Sequence, residues 1–302
     1  MKRALARTCE FLLLLAAVAA ISFIAMHALP GDPARLYAGE DAPFEEIEAV
    51  RRRMGLDRPL PVQLASYLLR AAQGDLGTSI RSGRPVVSEI RSRAGMTLRL
   101  ACGALAVAAA IALFLGVFSA ARPHSAVVQA LDWAGLLILS VPVYWLGLAL
   151  ILVFALGLRL LPAGGDATAA HFVLPAAALG AHTGIAAARV LRASLAGVLE
   201  KPFVAVALGK GATASRALWA HALPNALGPA IAYFALESGR LLGGAVLTET
   251  VFSINGLGRF IVQSIAFRDY PCVVGTALVM AVLVLAANLA GDLACSRLDP
   301  RL

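Results

Sequence analysis

Residues 201–216 read Lys-Pro-Phe-Val-Ala-Val-Ala-Leu-Gly-Lys-Gly-Ala-Thr-Ala-Ser-Arg, and this basic stretch lies between two long apolar runs. Pro202 suits the first position of a helix, and Gly211 suits the left-handed residue just past a helix end. Thr213 is a favourable cap for a second helix, which we expect to continue until Pro224 approaches. The stretch therefore predicts a rigid helical hairpin.

The composition places this hairpin in a membrane protein. Hydrophobic residues make up 60% of the 302 residues and charged residues only 15%, well below the roughly 25% of soluble domains. A helix needs about 20 mainly apolar residues to cross a bilayer. The sequence therefore predicts an all-α membrane protein with six transmembrane helices, near residues 10–29, 97–121, 131–157, 171–192, 227–248 and 273–295.

These runs divide the chain into three predicted parts. Residues 1–29 are expected to form the first transmembrane helix, which we interpret as retained rather than cleaved as a signal peptide. Residues 30–96 form a long segment in which Phe44–Met54 and Val62–Ala72 have the apolar periodicity of amphipathic helices. Residues 97–302 are expected to hold the other five helices, with the hairpin at about 193–225.

Lysine and arginine counts in the short loops predict the orientation. With the N-terminus inside, eleven basic residues lie in inside segments and three in outside loops. Both termini and the hairpin are therefore predicted to be cytoplasmic, and residues 30–96 external. The inside residues are Lys2, Arg3, Arg7, Arg122, Arg189, Arg192, Lys201, Lys210, Arg216, Arg297 and Arg301; the outside residues are Arg159, Arg259 and Arg268.

The sequence indicates no catalytic, cofactor or metal site. Gly209-Lys-Gly211 lacks the earlier glycine and the hydroxyl residue of a phosphate-binding loop. The five histidines lie in different segments without metal-ligand spacing. Because the net charge of +8 follows mainly from membrane topology, nucleic-acid binding is not expected.

Two charged residues stand near the middle of the fifth predicted span. Glu237 and Arg240 are three residues apart, a spacing at which helical side chains meet. Since charges in a bilayer are costly, both should face protein or water. They are expected either to pair with each other or to line a solute pathway.

Two further span features predict packing. Asp132 lies near a span end, where snorkelling or helix capping accounts for it. Gly180-x-x-x-Gly184 and Gly239-x-x-x-Gly243 have the small-residue spacing that lets helices approach closely.

An ordered set of short motifs gives the chain a family resemblance over nearly all of its length. It resembles the transmembrane permease subunits of bacterial ATP-binding-cassette importers of the dipeptide, oligopeptide and nickel class. The matching motifs are Leu29-Pro-Gly-Asp-Pro33, Met54-Gly-Leu-Asp-Arg-Pro-Leu60, Gly74-Asp-Leu-Gly-Thr-Ser79, Leu161-Pro-Ala-Gly-Gly165, Glu249-Thr-Val-Phe252, Gly256-Leu-Gly-Arg259, Arg268-Asp-Tyr-Pro271 and Leu298-Asp-Pro-Arg301.

The resemblance implies a role for the hairpin as the coupling helix that fits a groove on the ATPase. Ala207, Gly211, Leu223 and Pro224 fall in register with the family signature, with His221 at its isoleucine position, whereas Ala205 and Val206 replace its first two residues. Lys210 and Gly211 form the turn. The face expected to enter the groove comprises Phe203, Val204, Ala207 and Leu208.

The resemblance also implies the working assembly. A second permease subunit, two ATP-binding subunits that hold ATP and Mg²⁺, and an external substrate-binding protein are expected around this chain in the lipid of a bacterial inner membrane. The solute would be a peptide, nickel, a metal–opine complex or glutathione. The alternative is an ion-coupled secondary transporter that acts without an ATPase, and it would require repeated, broken helices that this sequence does not display.

Overall fold

The computed structural model describes residues 2–28, 32–39 and 42–298. Within them the secondary structure is helical, apart from an isolated antiparallel bridge between Thr78 and Pro85. The prediction of an all-α membrane protein is confirmed. Residues 29–31 and 299–302, which carry parts of the first and last motifs and Arg301, lie outside the described residues.

Thirteen α-helices account for most of these described residues. They are α1 (Lys2–Ala28), α2 (Pro33–Ala38), α3 (Phe44–Met54), α4 (Leu60–Ala72), α5 (Val86–Ala121), α6 (Ala126–Ser140), α7 (Val143–Leu150), α8 (Val173–Leu199), α9 (Pro202–Gly209), α10 (Ala214–Arg216), α11 (Leu223–Val251), α12 (Leu257–Ala266) and α13 (Tyr270–Leu298). Wider π-helical turns follow α7 at Ile151–Gly157 and α10 at Ala217–Ala222, and a 3-10 turn precedes α8 at Ala169–Phe172.

Four helical stretches in the described residues are long and apolar enough to cross a membrane. They are Val86–Ala121, Ala169–Leu199, Ala214–Val251 and Tyr270–Ser296. Each contains one of the runs predicted from the sequence. In α1 the apolar stretch Leu13–Ala25 is shorter, so the count of six spans stays a prediction.

The predicted continuous span at 131–157 is wrong in detail. Ala126–Ser140 and Val143–Gly157 form a pair bent by 111°, which counts as a fifth span only if the pair crosses as one. Val141 is extended, with φ −97° and ψ 133°. The cause is Pro142, because proline lacks an amide donor and disfavours helical backbone at the residue before it.

The chain divides into two compact units, each with its own core. The first comprises residues 1–95 and 255–285. In it, α3 has the predicted bounds and ends at Gly55, which is left-handed with φ +69°. Helix α4 begins two residues earlier than predicted, with Pro61 in its first turn. Tyr67 of α4 is buried against α1 and α13, among Ala19, Tyr270, Val273, Val274 and Leu278.

The second unit comprises residues 96–254 and 286–302 and is built around α8. Helix α8 packs extensively on α11. Gly180 and Gly184 face α5: a Cβ at Gly180 would lie 2.4 Å from the carbonyl oxygen of Ala104, and one at Gly184 would lie 2.9 Å from Cα of Ala108. The packing role predicted for this glycine pair is confirmed. Gly243 has no such neighbour within 4 Å.

Candidate functional site

The basic hairpin is organised around one left-handed glycine. Lys201 is extended and caps α9, and Pro202 takes the first helical position. After the helix Gly211 has φ +91°, and Ala212 closes the turn by donating its amide to the carbonyl of Ala207 at 3.1 Å. A Cβ at Gly211 would meet nothing within 4 Å. The glycine is therefore required by backbone conformation rather than by space.

The second arm of the hairpin differs from the prediction. Thr213 caps it as expected, its hydroxyl accepting from the Arg216 amide at 3.2 Å. The arm does not end near Pro224, however, because helical structure continues from Ala214 to Val251. The π-helical turn at Ala217–Ala222 precedes the proline. Asn225 donates from its side chain to the carbonyl of His221 at 2.7 Å, which supplies a hydrogen bond next to the residue that lacks a donor.

The inner side of the hairpin is anchored in an apolar core. Val204 is 3% exposed. The remaining fully buried members of this core are small or aliphatic residues from α5, α8, the π-helical turn and α11: Val117, Ala120, Leu191, Leu195, Ala217, Ala222, Leu223, Ala226 and Ala230. Val204 and Leu223 are thus structural anchors, and the expectation that Val204 belongs to a groove-facing surface is wrong.

The outer face of the hairpin, defined as Phe203, Val206, Leu208, Lys210 and Gly211, is exposed. Phe203 is 44%, Val206 55% and Leu208 46% exposed, so three large apolar side chains lie on the exposed part of α9 next to a basic turn. Val206 was missed by the sequence reasoning. Its signal was helical spacing, since residue 206 is three positions from Phe203 and shares its face.

The remaining candidate residues of the hairpin differ in burial. Ala207 and His221 are partly buried, and Pro224 is exposed. The side chains of Lys210 and Arg216 form no ion pair with any residue that the structure describes. The turn therefore presents unneutralised positive charge beside exposed apolar side chains.

Glu237 and Arg240 meet as their spacing predicts. Arg240 Nη1 donates to Glu237 Oε1 at 2.9 Å. The two side chains differ sharply in exposure, at 10% for Glu237 and 78% for Arg240. The pair therefore satisfies the buried carboxylate while leaving most of the guanidinium outside the packed interior of its unit.

The second unit contains another buried carboxylate, Glu249, which the sequence alone did not identify as buried. Glu249 is 0% exposed and accepts a hydrogen bond from the Thr97 hydroxyl at 2.7 Å. Thr97 is likewise fully buried. The contact joins α11 to α5 across 152 positions. In the sequence, Glu249 appears only as the first residue of the motif Glu249-Thr-Val-Phe252. No residue near it indicates that its partner is Thr97, 152 positions away.

Asp132 also has a role other than the predicted one. It accepts from Arg192 Nη1 at 2.6 Å, which links α6 to α8. The pair borders a small cavity of about 20 Å³, with Ser119 and Arg189 also in its wall. Helix capping is excluded, because α6 begins at Ala126 and is capped by the Ser125 hydroxyl. Asp132 is therefore one half of a bridge between helices.

Groups of three or more histidine, cysteine, aspartate or glutamate side chains able to hold a metal ion do not occur among the described residues. His182, for example, contacts the carbonyl of Val141 at 2.7 Å through Nε2. The arrangement of unit two is thus one of helix contacts and an exposed hairpin.

Comparison with known proteins identifies the class of this chain. The family described as "Binding-protein-dependent transport system inner membrane component" matches residues 112–302, and its companion "Binding-prot-dependent transport system membrane comp, N-term" matches residues 1–101. The chain belongs to this family of inner-membrane transport components. Transporters of this kind are ATP-driven importers in which the membrane component is not itself the ATPase.

Individual relatives agree with this assignment. The chain is 38% identical to the "Probable D,D-dipeptide transport system permease protein DdpB" of Escherichia coli, over 96% of this chain and 94% of that protein. It is 38% identical to the "Glutathione transport system permease protein GsiC" of Pectobacterium atrosepticum, over 94% of this chain and 92% of that protein. The chain is accordingly a multi-pass permease subunit of an ATP-driven importer in the inner membrane.

Solved structures support the fold. A chain of the MetNI methionine ABC transporter, in inward-facing conformations, superimposes with a TM-score of 0.58 at 20% identity and covers 70% of this chain and 96% of its own length. An amino acid ABC transporter crystallised with histidines gives a TM-score of 0.51 at 18% identity, over 71% of this chain and 94% of its own. These similarities concern the helical architecture alone.

Proposed function

We propose that the hairpin at about 193–225 is the surface through which an ATPase subunit moves this permease. The observation that carries the proposal is the contrast between its two sides. Val204 and Leu223 anchor it in the core, whereas Phe203, Val206 and Leu208 remain exposed on its outer face. Apolar side chains left exposed next to a basic turn suit a groove on a partner.

The proposed transporter contains, besides this chain, one further permease chain of different sequence and two ATP-binding subunits that hold ATP and Mg²⁺. An external binding protein delivers the solute, and this chain itself carries no cofactor. Family membership supports the kinds of partner in general, and the numbers and the difference between the permease chains are part of the proposal.

The proposed sidedness places both termini and the hairpin in the cytoplasm and residues 30–96 outside. Its support is the excess of basic residues in the predicted inside segments. The hairpin's unneutralised Lys210 and Arg216 agree with this side of the membrane.

The proposed solutes are small peptides or peptide-like molecules. This follows from relatives named for a D,D-dipeptide and for glutathione that align over nearly the whole chain. Nickel and metal–opine complexes remain the other candidates implied by the resemblance. Glu237 and Arg240 are proposed to line the pathway, with the exposed guanidinium of Arg240 as the solute-facing group.

The mechanism is alternating access. Closure of the ATPase subunits on ATP displaces the hairpin, and its core anchors pass the displacement to α5, α8 and α11. A ligand shifts such an equilibrium only through a difference in its binding to the two states. The rigid turn at Gly211 is suited to carry this displacement. Its left-handed backbone conformation is one that residues other than glycine rarely adopt.

The test is co-purification of the ATPase subunits with the chain carrying Gly211→Asp, at membrane abundance equal to the wild type. We expect at least tenfold less ATPase on the variant, because strain and a new negative charge enter the docking turn. The matched control is Gly74→Asp, at another exposed glycine with positive φ (+86°) and nothing within 4 Å. Equal ATPase recovery from both variants would contradict the docking role.

A further inference from the structure

A second site lies in the first unit, in a cavity of about 380 Å³. We call it the arginine pocket and define it by Arg81, Arg84, Arg93, Phe260, Gln263 and Phe267, which all line it. Its volume falls in the range of small-molecule sites, roughly 300–1,000 Å³. It is much larger than a single water or a bare inorganic anion requires. The family assignment gives it no role.

The first carboxylate in its wall is fully engaged within the chain. Asp269 is 3% exposed. It accepts from the Ser79 hydroxyl at 2.5 Å, from the Ile80 amide at 3.1 Å and from the Arg81 amide at 3.3 Å. These bonds hold the loop 77–85 across a sequence separation of about 190 positions. Asp269 thus shapes the pocket instead of offering a free acceptor to a ligand.

The second carboxylate is engaged in the same way. Glu89 accepts from the Ser82 hydroxyl at 3.1 Å and from Arg93 Nη1 at 2.5 Å. The Arg93 and Glu89 side chains are 19% and 10% exposed, so this ion pair is largely shielded from solvent. Both acidic groups of the pocket are therefore committed to donors of the chain.

The donors of the pocket, in contrast, are in excess. The guanidinium groups of Arg81 and Arg84 donate no hydrogen bond to any described residue. Arg93 Nε is buried and has no hydrogen-bond partner. A buried donor without an acceptor is destabilising. The donors that line the pocket therefore suit an acceptor, and beside three arginines an anionic one.

Two of these arginines are held in place by aromatic rings. The guanidinium carbon of Arg81 lies 3.7 Å from the ring centroid of Phe267, and that of Arg93 lies 4.3 Å from the centroid of Phe260. Such cation–π contacts fix the plane of the guanidinium. A ligand that binds them consequently has less side-chain entropy to overcome.

We propose that the arginine pocket binds the carboxylate of a small peptide-like solute. Planar guanidinium groups pair with oxyanions in two-point geometry, which serves carboxylate and phosphate alike. The volume favours an organic ligand that carries the oxyanion, and the rings of Phe260 and Phe267 provide apolar contact for its remainder. The assignment of the ligand as solute rests on the proposed function, which places this unit's loops outside.

The experiment measures retention of radiolabelled dialanine by the complete membrane complex in nanodiscs of zwitterionic lipid, without the binding protein. Dialanine amide, which lacks the carboxylate, is the matched probe. We expect the wild type to bind dialanine at least tenfold more tightly than the amide. Inorganic phosphate should displace dialanine, because it offers the same oxyanion chemistry.

The test variant is Arg81→Gln with Arg84→Gln, since both side chains are exposed and make no internal hydrogen bond that the fold needs. We expect at least tenfold weaker binding of dialanine by this variant. The matched control is Arg91→Gln, an exposed arginine on the same helix as Arg93 that does not line the pocket. Gln263→Glu provides a second variant, which leaves the arginines intact and introduces a competing carboxylate.

Several outcomes would overturn the proposal. Equal binding of dialanine by the wild type and the arginine double variant would do so, as would equal binding of the amide. Loss of dialanine binding when the nanodiscs contain phosphatidylglycerol would show that a lipid phosphate occupies the site instead. None of these readouts depends on the ATPase, so failure of the pocket is distinguishable from failure of the coupling hairpin, which the Gly211→Asp experiment reports.

Discussion

The hairpin at 193–225 and the loop 77–85 both contain tight turns closed by backbone hydrogen bonds, yet only the loop is also tied to a distant side chain. The hairpin turn is closed by backbone hydrogen bonds around Gly211, and its second arm is capped by Thr213 only three residues from its partner. The loop also has local backbone bonds, such as the one from the Ser79 amide to the Arg84 carbonyl at 2.9 Å, but it is tied in addition to the side chain of Asp269, about 190 positions away. The hairpin turn thus depends on local geometry, whereas the loop depends on the fold around it as well.

This difference teaches how each surface is used. A turn with local bonds keeps its shape while its outer face stays free for a partner, and large apolar side chains accumulate there. A loop tied by a distant carboxylate becomes a fixed wall, and the side-chain donors of its arginines then remain for a ligand. The first arrangement suits transmission of movement, and the second suits recognition by a preformed site.

The largest effect should come from removing the tie of the loop. Asp269→Ala deletes three hydrogen bonds and leaves the Ser79 hydroxyl and two amides without their acceptor. We expect the free energy of unfolding to fall by roughly 3 kcal/mol, measured as a lower melting temperature in detergent. Asp75→Ala is the control, because Asp75 is exposed and accepts a single bond, from the Gly77 amide. A similar loss in both variants would remove the distinction between the two turns.

A smaller effect should separate the two sides of the hairpin. Val204→Ala empties space in a packed core, so we expect a loss of about 2 kcal/mol in the free energy of unfolding. Val206→Ala, on the outer face, should leave stability unchanged within about 0.5 kcal/mol and should reduce ATPase recovery instead. Both are measured by thermal melting and by co-purification. If Val206→Ala melts early and retains its ATPase, the outer face is structural.

The smallest effect should come from Tyr67. It tests whether every buried polar group near the loop 77–85 helps to hold that loop in place. The Tyr67 hydroxyl is buried without a hydrogen-bond partner. Tyr67→Phe should therefore raise the free energy of unfolding by about 1 kcal/mol at neutral pH, because it removes a buried donor that has no acceptor. Thermal melting provides the measurement, and a loss of 1 kcal/mol or more would reveal a contact of the hydroxyl.

The same variant has a defined pH dependence. Burial raises the pKa of Tyr67 above its ordinary value near 10. Above about pH 10 the unfolded chain releases this proton while the folded chain retains it, so the stability of the wild type falls as the pH rises. Tyr67→Phe should lose less stability in that alkaline range. Parallel melting curves at all pH values would show that the hydroxyl titrates normally in the folded protein.

Local sequence signals predicted the local structure well. The bounds of α3 and the left-handed Gly211 followed from apolar spacing and from the position of a glycine after a helix. The fold class followed from composition, because a bilayer requires long apolar helices. The break at Pro142 was also readable, although the length of the apolar run outweighed the proline in the interpretation.

Contacts between distant residues could not be predicted in this way. Three contacts join segments that are 60 to 190 positions apart: Asp132 with Arg192, Thr97 with Glu249, and the loop with Asp269. No periodicity in a single helix encodes such a partner. The burial of Val204 is similar, because α9 is apolar on all sides and only the surrounding helices decide which side is covered.

The π-helical turn at Ala217–Ala222 fixes the angular register of helix α11, which follows it. A π-helical turn holds about one residue more than an α-helical turn, and each residue of an α-helix accounts for about 100° of rotation. Deleting one residue there would let the helix close into regular α-geometry with the part after Leu223 facing as before, whereas winding all six residues as regular α-helix would rotate that part by about this angle. The direction in which Glu237 and Arg240 face is therefore set by the winding of six residues that touch neither of them.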